Sequence, residues 1–126
     1  MRDIRFRAWL VKTKQIVYGV EQDNDLADII TDNKYENGNY ELMQFTGLYD
    51  KKKTPIYEGD IVSKETFDDT KPNHRAVSYA KVIWIEEFAG FYLVDKEDKI
   101  LWEVSEDKCN IEVVGNIYDN PDLLGE

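Results

Sequence analysis

The chain has 126 residues, a net charge of −10 and a pI of about 4.6. The length suits one domain with one core, and a composition that is 42% hydrophobic and 13% aromatic excludes global disorder. The negative charge opposes nucleic-acid phosphates and argues against generic DNA or RNA binding. Because no window approaches the roughly 20 apolar residues of a spanning helix, and the single cysteine, Cys109, excludes an internal disulfide, we expect a cytoplasmic protein without a membrane contact.

The acidic residues are concentrated in the second half of the chain. Residues 64–126 carry 7 Lys or Arg against 15 Asp or Glu, which places −8 of the net charge in this half. Such a surface can keep the protein in solution, attract a basic partner or imitate nucleic acid. Charge alone does not select among these roles.

The first 41 residues predict a hairpin followed by a long acidic excursion. Every second residue from Ile4 to Leu10 is apolar, which is the two-residue period of a strand with one buried face. β-type residues resume at 15–20 after a polar turn, so residues 4–20 are predicted to pair as a hairpin. Residues 21–41 then carry seven acids and a strong Asn-Gly turn signal. Within them, Asn24 is suited to cap one short helical turn with apolar residues at i, i+3 and i+4.

The rest of the chain reads as short strands separated by turns. A strand over 40–45 is expected to end at Gly47, an apolar pair follows the turn at Gly59, and Leu123 and Leu124 close the chain on the barrel end. Four later β-rich runs and two exposed polar loops complete the pattern. The runs cover 76–85, 90–94, 100–104 and 111–118, and the loops cover 50–55 and 64–75.

Short strands with short turns predict an antiparallel meander that closes its edges. The predicted fold class is therefore mostly β: an N-terminal hairpin plus a small antiparallel barrel or sandwich, with at most one or two short helical turns. We expect a single domain over 1–126. A subdivision would separate an N-terminal β part with the acidic excursion (1–55) from a C-terminal small β-barrel (56–126).

No catalytic or metal-binding constellation is visible. His74 is the only histidine and lies in a polar loop, and the acidic neighbours of Cys109 disfavour a reactive thiolate. One histidine and one cysteine cannot build a zinc site within one chain. Residues 23–34 resemble an EF-hand opening, but Asp28 and Lys34 stand where the glycine and the distal glutamate belong. We therefore expect no catalytic residue, no metal, no cofactor and no enzymatic activity.

Aromatic residues in the predicted strands have two readings. They could form a recognition platform, but rings in strands bury large areas and are more often part of the core. A core role is the prediction for Trp9, Tyr57, Trp84, Phe91, Tyr92 and Trp102.

Three segments stand out by their order and spacing: RFRAW at 5–9, MQFTGLYDK at 43–51 continuing to IYEGDIV at 56–62, and VGNIYDNPDLL at 114–124. Together they resemble the YopX-like proteins of phages and prophages. The resemblance implies a mostly β architecture of barrel and sandwich character, a phage or prophage gene in a bacterial cytoplasm, and self-association. It implies no mechanism and carries no functional residue onto this chain. Residues 21–39 and 65–75 lie outside the three segments.

The same segments make sense as scaffold. Gly47 and Gly59 supply turns, and Gly115 lets the last strand bend or approach another backbone closely. The functional alternative is that residues around two turns line a binding groove or a subunit contact. These candidate residues are Gln44, Thr46, Asp50, Tyr57 and Asp60.

Three functions from different classes follow. The leading hypothesis is a non-enzymatic phage accessory protein that binds a host or phage protein and forms a homo-oligomer, since exposed strand edges pair readily. The alternative is a nucleic-acid-related role, either direct binding by a small-barrel face or mimicry of DNA by the acidic half. The third is an enzyme whose dispersed carboxylates converge only in the fold.

Overall fold

The computed structural model describes residues 4–20, 40–67, 75–104 and 111–124. Within these ranges nine strands form two antiparallel sheets, and the helical elements are short 3-10 turns. The strands are β1 Phe6–Leu10, β2 Gln15–Tyr18, β3 Tyr40–Tyr49, β4 Pro55–Tyr57, β5 Asp60–Phe67, β6 Arg75–Ile85, β7 Gly90–Val94, β8 Ile100–Glu103 and β9 Ile111–Asn116. The mostly β prediction is confirmed. The chain divides into two compact units, Met1–Gly47 and Leu48–Glu126.

The first unit contains the predicted N-terminal hairpin. β1 pairs antiparallel with β2 and, on its other side, with β3, so that Ala8 faces both Val17 and Leu42. Three consecutive residues of β1, from Arg7 to Trp9, are buried, and successive side chains point to opposite faces. Both faces of β1 are therefore covered, whereas the period-two pattern predicted one buried face.

β3 continues two residues past its predicted end. Gly47 has a φ of +90°, a conformation that glycine adopts without the steric cost of a Cβ, and the strand continues through it to Tyr49. The space around Gly47 is open, because an added Cβ would meet no atom within 4 Å. Glycine is thus required here for its backbone angle. The four-stranded sheet that contains β3 has the order β2-β1-β3-β4.

The second unit contains a five-stranded sheet of order β8-β7-β6-β5-β9, curled into a half-barrel. β5 to β8 follow one another as the predicted meander. β9 instead crosses to the far edge and pairs with β5, because pairing partners are set by the closure of the core and not by strand order. The buried core residues are Ile56, Val62, Ala80, Val82, Leu93 and Ile111.

The predicted polar loop 64–75 is wrong at both ends. Lys64 to Phe67 belong to β5 and Arg75 begins β6, with Glu65 opposite Val77. Polar residues persist in a strand when their backbone groups are paired, so composition alone misplaced this boundary. Residues 68–74, including His74, lie outside the described residues, as do the predicted helical turn at Asn24, the segment 23–34 and Cys109.

The last strand bends at Gly115, as predicted. Ile61 faces Gly115 and Val62 faces Val113, so Val114 is the extra residue of a β-bulge. A Cβ at Gly115 would lie 2.5 Å from the side-chain oxygen of Asn120, so the close approach is made by a side chain. The chain then turns and places a 3-10 turn, Pro121–Leu124, against β6.

Candidate functional site

Asp50, one of the five candidate residues, organises the loop between β3 and β4. Its side chain is 5% exposed. One carboxylate oxygen accepts the backbone N–H groups of Lys52 at 2.9 Å and Thr54 at 2.8 Å. The other accepts the N–H of Val113 in β9 at 2.9 Å. This carboxylate is occupied by three backbone donors, which is a turn-stabilising role.

The same loop, residues 50–54, lies along the outer edge of β9. Lys51 N–H donates to the carbonyl of Ile111 at 3.1 Å, and the Lys52 ammonium lies 2.5 Å from a carboxylate oxygen of Glu112. Together with the Asp50–Val113 hydrogen bond, these contacts cover the edge of β9 that does not pair with β5. An edge that would otherwise be open to another chain is thereby closed at residues 111–113.

The geometry of loop 50–54 recurs in loop 95–99, between β7 and β8. Asp95 accepts the N–H groups of Glu97 and Lys99, each at 2.9 Å, as Asp50 accepts those of Lys52 and Thr54. The fourth residue is left-handed in both loops, with φ of 65° at Lys53 and 64° at Asp98. Both are tight hairpin loops in which an aspartate closes a turn before a left-handed residue.

Asp60 and Tyr57, two further candidates, flank the Gly59 turn. Asp60 is 1% exposed and accepts the backbone N–H of Tyr57 at 2.7 Å. Gly59 has a φ of +87°, donates its N–H to Val82 at 2.8 Å and accepts that of Ile117 at 2.9 Å. The predicted turn at Gly59 is confirmed, and the Asp60 carboxylate stabilises it.

The remaining candidates, Gln44 and Thr46, lie half-buried on β3 in the first unit. In the second unit, the carboxylates of Asp50 and Asp60 serve separate turns. The binding groove suggested for the five residues stays a prediction. Over the described ranges, no group of three His, Cys, Asp or Glu side chains is placed to hold a metal ion.

Sequence reasoning missed two exposed aromatic rings at the end of the β6–β7 hairpin, residues 84–92, which we call the hairpin tip. Trp84 is 43% exposed and Phe88, in the 3-10 turn Glu86–Phe88, is 56% exposed. Trp84 packs edge-to-face on Phe91, with ring centroids 5.0 Å apart, and Phe88 lies 5.6 Å from the Tyr92 ring. The core role predicted for Trp84 is wrong, because Trp84 lies beyond Val82 and Leu93, the last buried pair on its face of the hairpin.

The other predicted core aromatics divide into two groups. Trp9 and Tyr57 are buried, as expected. The rings of Phe91, Tyr92 and Trp102 are half-buried. Trp102 packs on the core and carries the Lys64 ammonium 4.1 Å from its ring centroid. No local signal distinguished Trp84 from Trp102, since both lie in similar strand sequences.

The model of the YopX protein family matches residues 5–125, which is nearly the whole chain. The chain belongs to the YopX family. The resemblance drawn from the three segments is therefore confirmed. The crystal structure of protein EF1440 from Enterococcus faecalis is similar to this YopX chain, with a TM-score of 0.62 and 19% sequence identity over 98% of this chain and 99% of that one. At that identity the likeness shows the fold alone. Among curated proteins, none matches.

The family segments of this YopX chain coincide with its turn-forming residues. Asp50 lies in the second segment, as do Gly59 and Asp60, and Gly115 lies in the third with Asn120 against it. Their contacts are hydrogen bonds and packing inside the fold. The hairpin tip lies outside all three segments. In the described part of the chain, no helix is long and apolar enough to cross a membrane.

Proposed function

We propose that this YopX-family chain is a phage or prophage accessory protein, cytoplasmic in the bacterial host, that acts by binding another protein and that self-associates. The proposal assigns no catalysis. The buried carboxylates of Asp50 and Asp60 are engaged by backbone N–H groups, an arrangement that serves turn stability and leaves them poorly placed to act on a substrate.

The hairpin tip is the observation that carries the protein-binding proposal. Exposing Trp84 and Phe88 to water forgoes the free energy that burying their rings would supply. Tryptophan is enriched among the residues that dominate protein–protein binding. Each exposed ring packs beside a second ring, and because Phe91 and Tyr92 are consecutive in β7, these second rings lie on opposite faces of the hairpin. Exposed rings at the end of a hairpin are apolar surface that a partner can cover.

Strand edges support the self-association proposal. β8 is an edge strand of the five-stranded sheet, and among the described strands it pairs only with β7. β2 ends the other sheet and exposes Val17 and Tyr18 at 38% and 61%. Edge strands of this kind pair with equivalent strands of a second copy.

Two measurements test the proposed function. Light scattering of the purified chain is expected to give a mass above the 14.8 kDa of one chain, and a strict monomer contradicts self-association. Affinity capture from bacterial lysate, with and without nuclease, is compared with an unrelated acidic protein by mass spectrometry. One protein recovered under both conditions supports protein binding, whereas recovery that nuclease abolishes supports the nucleic-acid alternative.

A further inference from the structure

We propose that the hairpin tip is a docking site for a protein segment that carries arginine or lysine next to aliphatic or aromatic residues. This inference rests on the proposed function and specifies the chemistry of its partner. It depends on the exposed rings of the tip, on the charge around them and on the behaviour of cations elsewhere in the chain.

The rings supply the apolar half of the site. Trp84 faces Phe91 across the β6–β7 pair, at the end of the face that carries Val82 and Leu93 in the core. The core surface thus continues outward to a ring that is 43% exposed. A partner residue placed on Trp84 would extend the packing of the existing core.

The hairpin tip, which carries the rings, has charged residues of one sign only. Residues 82–95 contain no Lys or Arg, although the chain has 16, and they include Glu86 and Glu87. Both glutamates are exposed at the tip between Trp84 and Phe88. They form no ion pair within the described residues. A cationic side chain would meet both a carboxylate and an aromatic face here.

Cationic side chains already pack over other aromatic rings in this chain. The Lys64 ammonium lies 4.1 Å from the Trp102 centroid, and the Arg5 guanidinium lies 5.1 Å from that of Phe45. Among the described residues, no cation lies over Trp84. The tip therefore offers a cation an exposed indole ring beside acids that nothing in the described structure neutralises.

The same charges disfavour the other occupants. Nucleic-acid phosphates are repelled by Glu86 and Glu87. A second copy of this chain would bring an identical acidic tip, on a protein of net charge −10. A basic and apolar protein segment is the occupant whose charge is complementary.

Labelled peptides provide the direct test. The probes are three fluorescein-labelled peptides of equal length that repeat Arg-Leu, Glu-Leu or Arg-Ser, titrated with the full chain and read by fluorescence anisotropy. We expect saturable binding of the Arg-Leu peptide, weakening as salt rises, and at least about tenfold weaker binding of the other two. Equal binding of the Glu-Leu peptide would overturn the requirement for a cation. Equal binding of the Arg-Ser peptide would overturn the requirement for apolar residues.

Variants locate the binding on the tip. Phe88→Ser, at a side chain exposed enough to leave the fold intact, and Trp84→Ala are each expected to weaken Arg-Leu binding by about tenfold. Glu86→Gln combined with Glu87→Gln should weaken it by about three- to tenfold at low salt and reduce its salt dependence. Tyr79→Ala is the matched control, because Tyr79 is also on β6 and 42% exposed. Equal weakening by Tyr79→Ala, or none by Phe88→Ser, overturns the proposal.

Repeating the lysate capture with Phe88→Ser separates this inference from the proposed function. If the wild-type chain captures one specific protein and the variant captures it equally, the docking site is wrong and the protein-binding function stands. If the wild-type chain captures nothing specific while the Arg-Leu peptide binds the tip, the docking chemistry stands and the proposed function loses its support.

Discussion

Loops 50–54 and 95–99 have the same backbone geometry in different surroundings. In each, an aspartate accepts two N–H groups and a left-handed residue follows in fourth place. The Asp50 carboxylate is buried and also bonds β9, whereas Asp95 is half-buried and, among the described residues, bonds only its own loop. One local motif is thus a self-contained turn in one place and a tertiary contact in another.

Removing the aspartate carboxylate should give the largest difference in stability between the two loops. Asp50→Ala leaves the N–H of Val113 and two loop N–H groups without their acceptor, and we expect it to cost about 3 kcal/mol of unfolding free energy. Asp95→Ala leaves exposed N–H groups that water can satisfy, with an expected cost of about 1 kcal/mol. Urea unfolding of both variants measures the difference. Equal costs would mean that the bond to β9 contributes nothing.

An amide isolates the tertiary bond. In Asp50→Asn the amide oxygen still serves the two loop donors, but its NH₂ group then faces the N–H of Val113, so we expect a loss of about 1–2 kcal/mol. Asp95→Asn keeps both of its hydrogen bonds and should stay within about 0.5 kcal/mol of the wild type. Faster hydrogen exchange at Val113 in Asp50→Asn is the residue-level check. Unchanged exchange there would refute the assignment.

The left-handed position should respond in the opposite direction. Lys53→Gly relieves the cost of a φ of 65°, and we expect stabilisation of about 0.5–1 kcal/mol. Asp98→Gly should change stability by less than about 0.5 kcal/mol, because aspartate tolerates this conformation better and the change removes an ion pair. That pair joins Asp98 to Lys81 at 2.7 Å. Thermal unfolding compares the two, and a destabilised Lys53→Gly would contradict the strain argument.

The smallest expected effect concerns the ion pair at the loop surface. Hydrogen bonding to Glu112, followed by its negative charge, raises the pKa of Lys52 above the usual 10.5. A raised pKa means that the folded state favours the ammonium, so this contribution is present below pH 10.5 and is lost as the pH rises through the folded-state pKa. Lys52→Met should therefore lower the melting temperature slightly at neutral pH and low salt, and not at alkaline pH or high salt. Lys51→Met is the control, and an equal shift in its melting temperature would show that the Lys52–Glu112 pair does not stabilise the fold.

Local patterns predicted much of the fold. β7 falls on its predicted run of 90–94, and the hairpin over 4–20 forms because alternation and a polar turn act within a few residues. The pairing of β9 with β5 has no local signal, because it joins strands that are distant in sequence. The polar end of β5 was assigned to a loop because of its composition, although pairing with the next strand, β6, stabilises it.

The site was predicted less well than the fold. Asp50 was selected as a candidate because it is one of five residues clustered in sequence around two turns, but its hydrogen bond to Val113 spans 63 residues and nothing in the loop sequence predicts it. Trp84 was assigned to the core because its strand looks like other core strands. Its exposure depends on where the buried part of the sheet ends, which is a property of the assembled fold.

The position of β9 has a consequence for how the protein folds. β9, Ile111–Asn116, pairs with β5 and is covered by loop 50–54. During synthesis both β5 and this loop emerge well before β9. Contacts of such high sequence separation form late and slow the folding of β proteins. Until β9 arrives, the nascent sheet has an unpaired edge that can aggregate, so the last of the described strands is also the one that protects this edge.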